Sequence, residues 1–275
     1  MFRRVRLFLL LSPLLLVSFS AASVVIRHDV EDAKYRVDAS VFPALVDLPG
    51  EGHGVLIAPQ WVLTAAHAVS WQHSVDAVVI NGESRAVAEL IRHSGFTPMP
   101  PAVIEEAKAS DDLAGIYEVL RASDDIALLK LAVPVEDVAP AAMYHGRIEK
   151  GQRVRLIGKG ATGSGATGHD SRGPNRTELR TGFNEISAIE GRWLAYTFDA
   201  PPAGLPLEAM AGNGDSGSPV LVEVNGKWQL AGLTSWKHAD VPFSMFRPAQ
   251  YGQVSYNVRV NHYRDWIERH TGLTW

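Results

Sequence analysis

From Tyr35 onward the apolar residues of this 275-residue chain come in short runs cut by glycine, proline and asparagine, with no long stripe of helical period. Runs of that length and punctuation belong to strands, so the pattern predicts an all-β chain. Strands are expected over residues 41–48, 54–57, 61–65, 75–80, 84–91, 126–131, 152–157, 178–189, 219–224, 227–235 and 252–260. Asn81-Gly82 and Asn225-Gly226 favour the positive φ angles of two-residue hairpins. Residues 93–123 break the rhythm with Pro98, Pro100, Pro101 and the charged run from Glu105 to Lys108, and read as a long surface loop with about one turn of helix. Residues 158–176 carry six glycines and also read as loop. The Val133-Pro134 to Pro140 stretch reads as a crossing linker, which divides the chain into a first β unit over 24–140 and a second over 141–275. Residues 261–271 start at the capping residue Asn261, place Tyr263, Trp266, Ile267 and His270 on one face, and stop at Gly272, so a C-terminal helix is expected.

The N-terminus has a different character. Arg3, Arg4 and Arg6 precede an apolar run over 7–19 and then Ser20, Ala21, Ala22 and Ser23, the order of a secretory signal peptide over 1–23. The run is shorter than the ~20 apolar residues a spanning helix needs, so a secreted or periplasmic protein with no membrane attachment after processing is expected. Processing removes three of the 26 basic residues and none of the 30 acidic ones. The acidic remainder is a poor match for nucleic acid or anionic lipid. There is no cysteine, which excludes thiol catalysis and cysteine-ligated zinc and leaves stability to packing alone. Roughly 250 residues suffice for that. No cofactor and no metal is expected, and the chain is expected to act as a monomer.

The stretch richest in chemistry is Gly214-Asp215-Ser216-Gly217-Ser218-Pro219. Glycines on both sides let the backbone present a serine and bring the Gly214 and Ser216 amides toward a developing oxyanion. A serine hydroxyl is a weak nucleophile until a base takes its proton, so a histidine and a group that orients it are required. Taken alone the stretch reads equally well as a surface turn. His67, in Leu63-Thr64-Ala65-Ala66-His67-Ala68, is a candidate base or a histidine satisfied at a strand end. Asp125 opens the apolar run Ile126-Ala127-Leu128-Leu129, where a buried carboxylate requires hydrogen-bond donors such as an imidazole. Its neighbour Asp124 is expected to face solvent, because strand side chains alternate. Asp111-Asp112 is a similar pair without the following apolar run, and Ser218 is a second serine without the glycine frame.

Together these stretches resemble the trypsin and chymotrypsin-like serine proteases in the motifs Thr64-Ala65-Ala66-His67, Asp125-Ile126-Ala127-Leu128 and Gly214-Asp215-Ser216-Gly217-Ser218-Pro219, in that order. Phe42-Pro43, Gly158 and Gly160, Leu179-Arg180, Gly232-Leu233-Thr234-Ser235-Trp236 and Tyr263 with Trp266-Ile267 extend the likeness from about Val25 to Trp275. The resemblance implies two six-stranded antiparallel β-barrels with a cleft between them. It implies a Ser216 nucleophile, a His67 base, an orienting Asp125, an oxyanion hole from Gly214 and Ser216, and a Ser235-Trp236 edge that pairs with extended substrate. Met210 matches the base of the primary specificity pocket and carries no carboxylate, which argues against cleavage after lysine or arginine and for apolar or small residues. Lys237 stands where the family commonly has glycine, so it either narrows the pocket or attracts acidic groups. The positions of the usual disulfide beside the histidine match Gly52 and Ala68, so both partners are absent together. The usual Ile-Val-Gly-Gly start is missing, and a Val24 amine freed by signal removal is expected to pair with Asp215. The expected activity is that of an exported serine endopeptidase. The alternatives are a non-catalytic binding protein on a protease fold, which ordinarily lacks a triad residue, and an esterase, whose serine leads into a helix and not a strand.

Overall fold

Apolar runs without polar alternation require strands buried on both faces, and the computed structural model, which describes residues 24–169 and 173–275, shows how that burial is achieved. The expected signal peptide over 1–23 lies outside the described residues. After β1 (Val25–Ile26) the chain forms β2 (Leu45–Asp47), β3 (His53–Ala58), β4 (Trp61–Thr64), β5 (Ala77–Ile80) and β6 (Glu83–Arg92). Helices α1 (Pro101–Ser110) and α2 (Ala114–Ala122) intervene before β7 (Ala127–Leu131). Strands β2 to β7 close into a barrel in the order β2-β3-β4-β7-β6-β5. Asn81 and Gly82, at φ of 51° and 83°, turn β5 into β6 as their sequence predicts.

The second half contains β8 (Arg153–Gly158), β9 (Gly163–Ser164), β10 (Gly168–His169), β11 (Arg180–Glu185), β12 (Ala188–Glu190), β13 (Trp193–Thr197), β14 (Ala209–Met210), β15 (Pro219–Val224), β16 (Lys227–His238), β17 (Val254–Arg259) and α3 (Arg264–Thr271). Seven of these strands form one curled half-barrel sheet in the order β11-β8-β15-β16-β17-β13-β12. Its two edges, β11 and β12, are separated in the chain by only Ile186 and Ser187, so a single bent stretch borders the sheet at both ends. A small sheet, β10-β9-β1-β14, ties the N-terminal residues to this half.

Alternation along the strands splits the core. In β3, β4 and β7, Leu56, Val62 and Leu129 fill the first barrel, while Val55, Leu63 and Leu128 join a separate cluster with Leu221, Leu233, Val258 and Ile267 of the second half. One face of each strand therefore packs inside its barrel and the other packs at the seam. That double burial explains the continuous apolar runs.

Three expectations need correction. Residues 93–123 are not a loop with one turn: they hold two helices, α1 with Pro101 at its first turn and Asp111 in the left-handed region at its end, and α2 after it. The stripe Leu113, Ile116, Tyr117 and Leu120, spaced i, i+3, i+4 and i+7, is the sequence signal for α2. Strand β13 was not expected although residues 193–196 are a continuous apolar run after Gly191. The C-terminal helix begins at Arg264 after a 3-10 turn over Val260–Tyr263 and ends at Gly272, with Tyr263, Trp266 and Ile267 buried and His270 exposed.

Candidate active site

Strand pairing brings the first two candidates together. Thr64, at the end of β4, is opposite Ala127, at the start of β7, so His67 and Asp125, just beyond these ends, lie side by side although they are 58 positions apart. His67 stands in the 3-10 turn Ala66–Val69 that follows β4. Its backbone N–H donates to Asp125 Oδ1 at 2.7 Å, and its Nδ1 lies 2.7 Å from Oδ2. A carboxylate accepts only, so Nδ1 carries the proton and Nε2 is left as an acceptor. Ser216 Oγ lies 2.7 Å from that Nε2. The hydroxyl of Ser235 donates to Asp125 Oδ2 at 2.5 Å, a third donor on the buried carboxylate.

Ser216 comes from the other half. Its turn is pressed onto β3: the His53 N–H donates to the Ser216 carbonyl at 2.7 Å and the Gly52 N–H to the Gly214 carbonyl at 3.2 Å. Two glycines make this approach possible. Gly214 and Gly217 have φ of 81° and 76°, and a Cβ would lie 2.0 Å from the Asn175 carbonyl oxygen at the first and 2.2 Å from that of His53 at the second. Among the described residues neither the Gly214 nor the Ser216 amide has an acceptor, and both residues border the cavity beside the serine.

Electrostatics follow from burial and pairing. Burial alone lowers the His67 pKa, but the charge and hydrogen bond of Asp125 outweigh it, and the net displacement is upward. Burial alone raises that of Asp125; the His67 pair, with Ser235 and the His67 amide, reverses the sign and lowers it. Asp215 points away from the cleft into a fully buried site where it accepts from the backbone N–H of Gly160 at 2.7 Å, of Gly212 at 2.8 Å and of Val24. Burial still pushes it up to about 6.

A cavity of about 380 Å³ opens at Ser216 between the Gly212–Gly214 backbone and the Ser235–Lys237 edge. Ile116, Tyr117 and Leu120 of α2 and Phe243 and Phe246 give it apolar walls that the sequence reading missed. Tyr117 stacks on Trp236 at 6.0 Å, donates to the Ala239 carbonyl at 3.0 Å and accepts from its N–H. A second cavity of about 330 Å³, lined by His67, Phe96, Met99, Leu120 and Trp236, lies on the other side of the same edge. Beyond Thr234, whose backbone still bonds Gly217 and Ser218, strand β16 pairs with β17 alone, so its other edge faces the cleft.

The structure thus brings His67, Asp125, Ser216, Gly214, Ser235, Trp236 and Lys237 to one cleft. Met210 is placed differently. It is fully buried in β14 opposite Val25, packed in the core of the second half, and is not on the cavity wall. Asp124 is a further correction, since it is not turned to solvent: it accepts from Arg192 at 2.6 Å and from the Tyr263 hydroxyl at 2.8 Å.

Known proteins agree with this architecture. The family model described as Trypsin matches residues 34–267. Trypsin II-P29 of Gallus gallus is 28% identical over 270 residues, covering 92% of this chain and 96% of that protein.

Proposed function

We propose, for a chain that belongs to the trypsin family, that it is an exported serine endopeptidase working through Ser216, His67 and Asp125. The observation that carries this reading is the continuous contact from Asp125 through His67 to Ser216 Oγ, with 2.7 Å at each step. Ser216 Oγ attacks the scissile carbonyl carbon while its proton passes to Nε2 of His67. The oxyanion then faces the two amides of Gly214 and Ser216, where a single lost donor costs about 2.7–4 kcal/mol. Nε2 returns the proton to the leaving amine, which departs and leaves an acyl-enzyme on Ser216. Water, deprotonated by the same nitrogen, releases the acid and restores the hydroxyl. Asp125 holds the tautomer and stabilises the imidazolium. An extended peptide adds as a strand along the open edge at Ser235 and Trp236.

Substrates with lysine or arginine before the scissile bond are disfavoured, because no carboxylate projects from Met210 and Lys237 repels them. Apolar and small side chains meet mostly apolar walls. The Val24 N–H already donates to Asp215, and Val24 is 1% exposed. Cleavage before Val24 would replace that amide with an ammonium at the same carboxylate and complete activation in the step that removes the signal peptide.

A serine-directed phosphonate tests the assignment. It should label the secreted protein but not Ser216→Ala, which should lose about 2 × 10⁶ in turnover. N-terminal sequencing of the labelled form should begin at Val24. Labelling that persists in the Ser216→Ala variant would disprove the site.

A further inference from the structure

Among the described residues Lys237 is the only lysine or arginine bordering the cavity at Ser216, and it is half-buried there. Among the described residues its ammonium has no ion pair and no hydrogen bond. Two carboxylates of the described residues are near enough to consider, and neither serves. Asp215 is felt through space, but it is fully buried, its oxygens are taken by the three backbone N–H donors, and it lies beyond ion-pair distance. Glu51, on the cavity rim, accepts from Asn175 Nδ2 at 2.6 Å. A cation partly withdrawn from water beside apolar walls is costly until a counter-charge reaches it. Burial accordingly pulls Lys237 down to about 8.

The side chain that enters this cavity is that of the residue just before the scissile bond, since Ser216 attacks that residue's carbonyl and the cavity adjoins Ser216. We propose that Lys237 is a specificity-determining residue that selects a carboxylate side chain, glutamate or aspartate, at that position. The proposal rests on the endopeptidase reading and ranks an acidic side chain above the apolar and small ones that reading admits. A neutral side chain fills the same apolar walls and leaves the ammonium without a partner; a carboxylate fills them and pairs with it. A charge-assisted hydrogen bond of this kind corresponds to a preference of roughly tenfold or more.

The test uses the full secreted protein and peptides that differ only at the residue before the scissile bond: Glu, Asp, Gln, Leu, Ala and Arg. Glutamate against its neutral isostere glutamine isolates the charge. The expected kcat/KM ratio of Glu to Gln is about 10 or more, is kept in Lys237→Arg, approaches 1 in Lys237→Met, and inverts in Lys237→Glu. High salt should shrink it in the wild type. Equal cleavage after Glu and Gln, or a ratio untouched in Lys237→Met, overturns the proposal. Failure of the endopeptidase reading looks different: no peptide is cleaved and the phosphonate leaves Ser216 unlabelled. Thermal melting of each variant identifies any that fails to fold, and Lys237→Arg, which changes shape least, then decides through its retained ratio.

Discussion

At the residue scale, His67 is governed by the carboxylate it leans on. The imidazole is the base only when neutral, so activity rises as pH climbs through its pKa. Because Asp125 holds that pKa above the ordinary 6.5 despite burial, the acid limb of kcat/KM should lie above pH 6.5. Asp125→Asn removes the charge that raises it, so the limb should move down while turnover falls about 10⁴-fold. A pH profile of both proteins checks this, and an unmoved limb would show that Asp125 does not set the base. The motifs around His67, Asp125 and Ser216 were legible in the sequence because each is a local signature. The hydrogen bond from Ser235 to Asp125 was not, since it joins residues 110 apart. Met210 shows the converse: its position in the motif is local, but its burial opposite Val25 depends on a strand pair formed across the chain.

At the element scale, the distinctive addition is the α1–α2 pair between β6 and β7. The stripe from Leu113 to Leu120 turns α2 toward the cleft, where Tyr117 meets Trp236 and the Ala239 backbone. Asp111, at the end of α1, accepts from the Ser244 N–H at 2.7 Å and fastens the pair to the other half. Tyr117→Ala removes one stack and two hydrogen bonds at the upstream end of the substrate edge. An aromatic pair contributes about 0.5–1.5 kcal/mol, so KM for extended peptides should rise by up to roughly tenfold. Tyr117 also walls the cavity beside Ser216, so single-residue esters should lose part of this binding and long peptides more; a loss no larger on long peptides than on esters would contradict a role in upstream binding. The prolines around residue 100 obscured these helices, because proline signals both loops and the first turn of a helix.

At the scale of the whole molecule, the site lies on the seam, with His67 and Asp125 in the first half and Ser216 and Ser235 in the second. The seam is held by apolar faces of strands from both halves and by ion pairs across it. Asp47, at the end of β2, takes Lys159 at 2.8 Å and Arg176 at 2.9 Å from the second half, each about a quarter exposed. Asp47→Ala leaves two cations facing each other and takes from buried His53 the carboxylate 3.6 Å from its Nε2. The partial exposure limits the cost to about 1–2 kcal/mol, or about 2–8 °C in melting temperature for a chain of this size. A denaturant titration measures it, and an unchanged midpoint would mean that these ion pairs do not hold the halves. The β character, the hairpin turns and the three motifs are written locally in the chain, because periodicity and turn chemistry act over a few residues. Only folding puts His67 at hydrogen-bond distance from both Asp125 and Ser216, buries Met210 away from the cavity, and leaves Lys237 on the cavity wall without a partner among the described residues. Those are consequences of strands pairing across tens of residues, and no local pattern encodes a distance between segments that far apart.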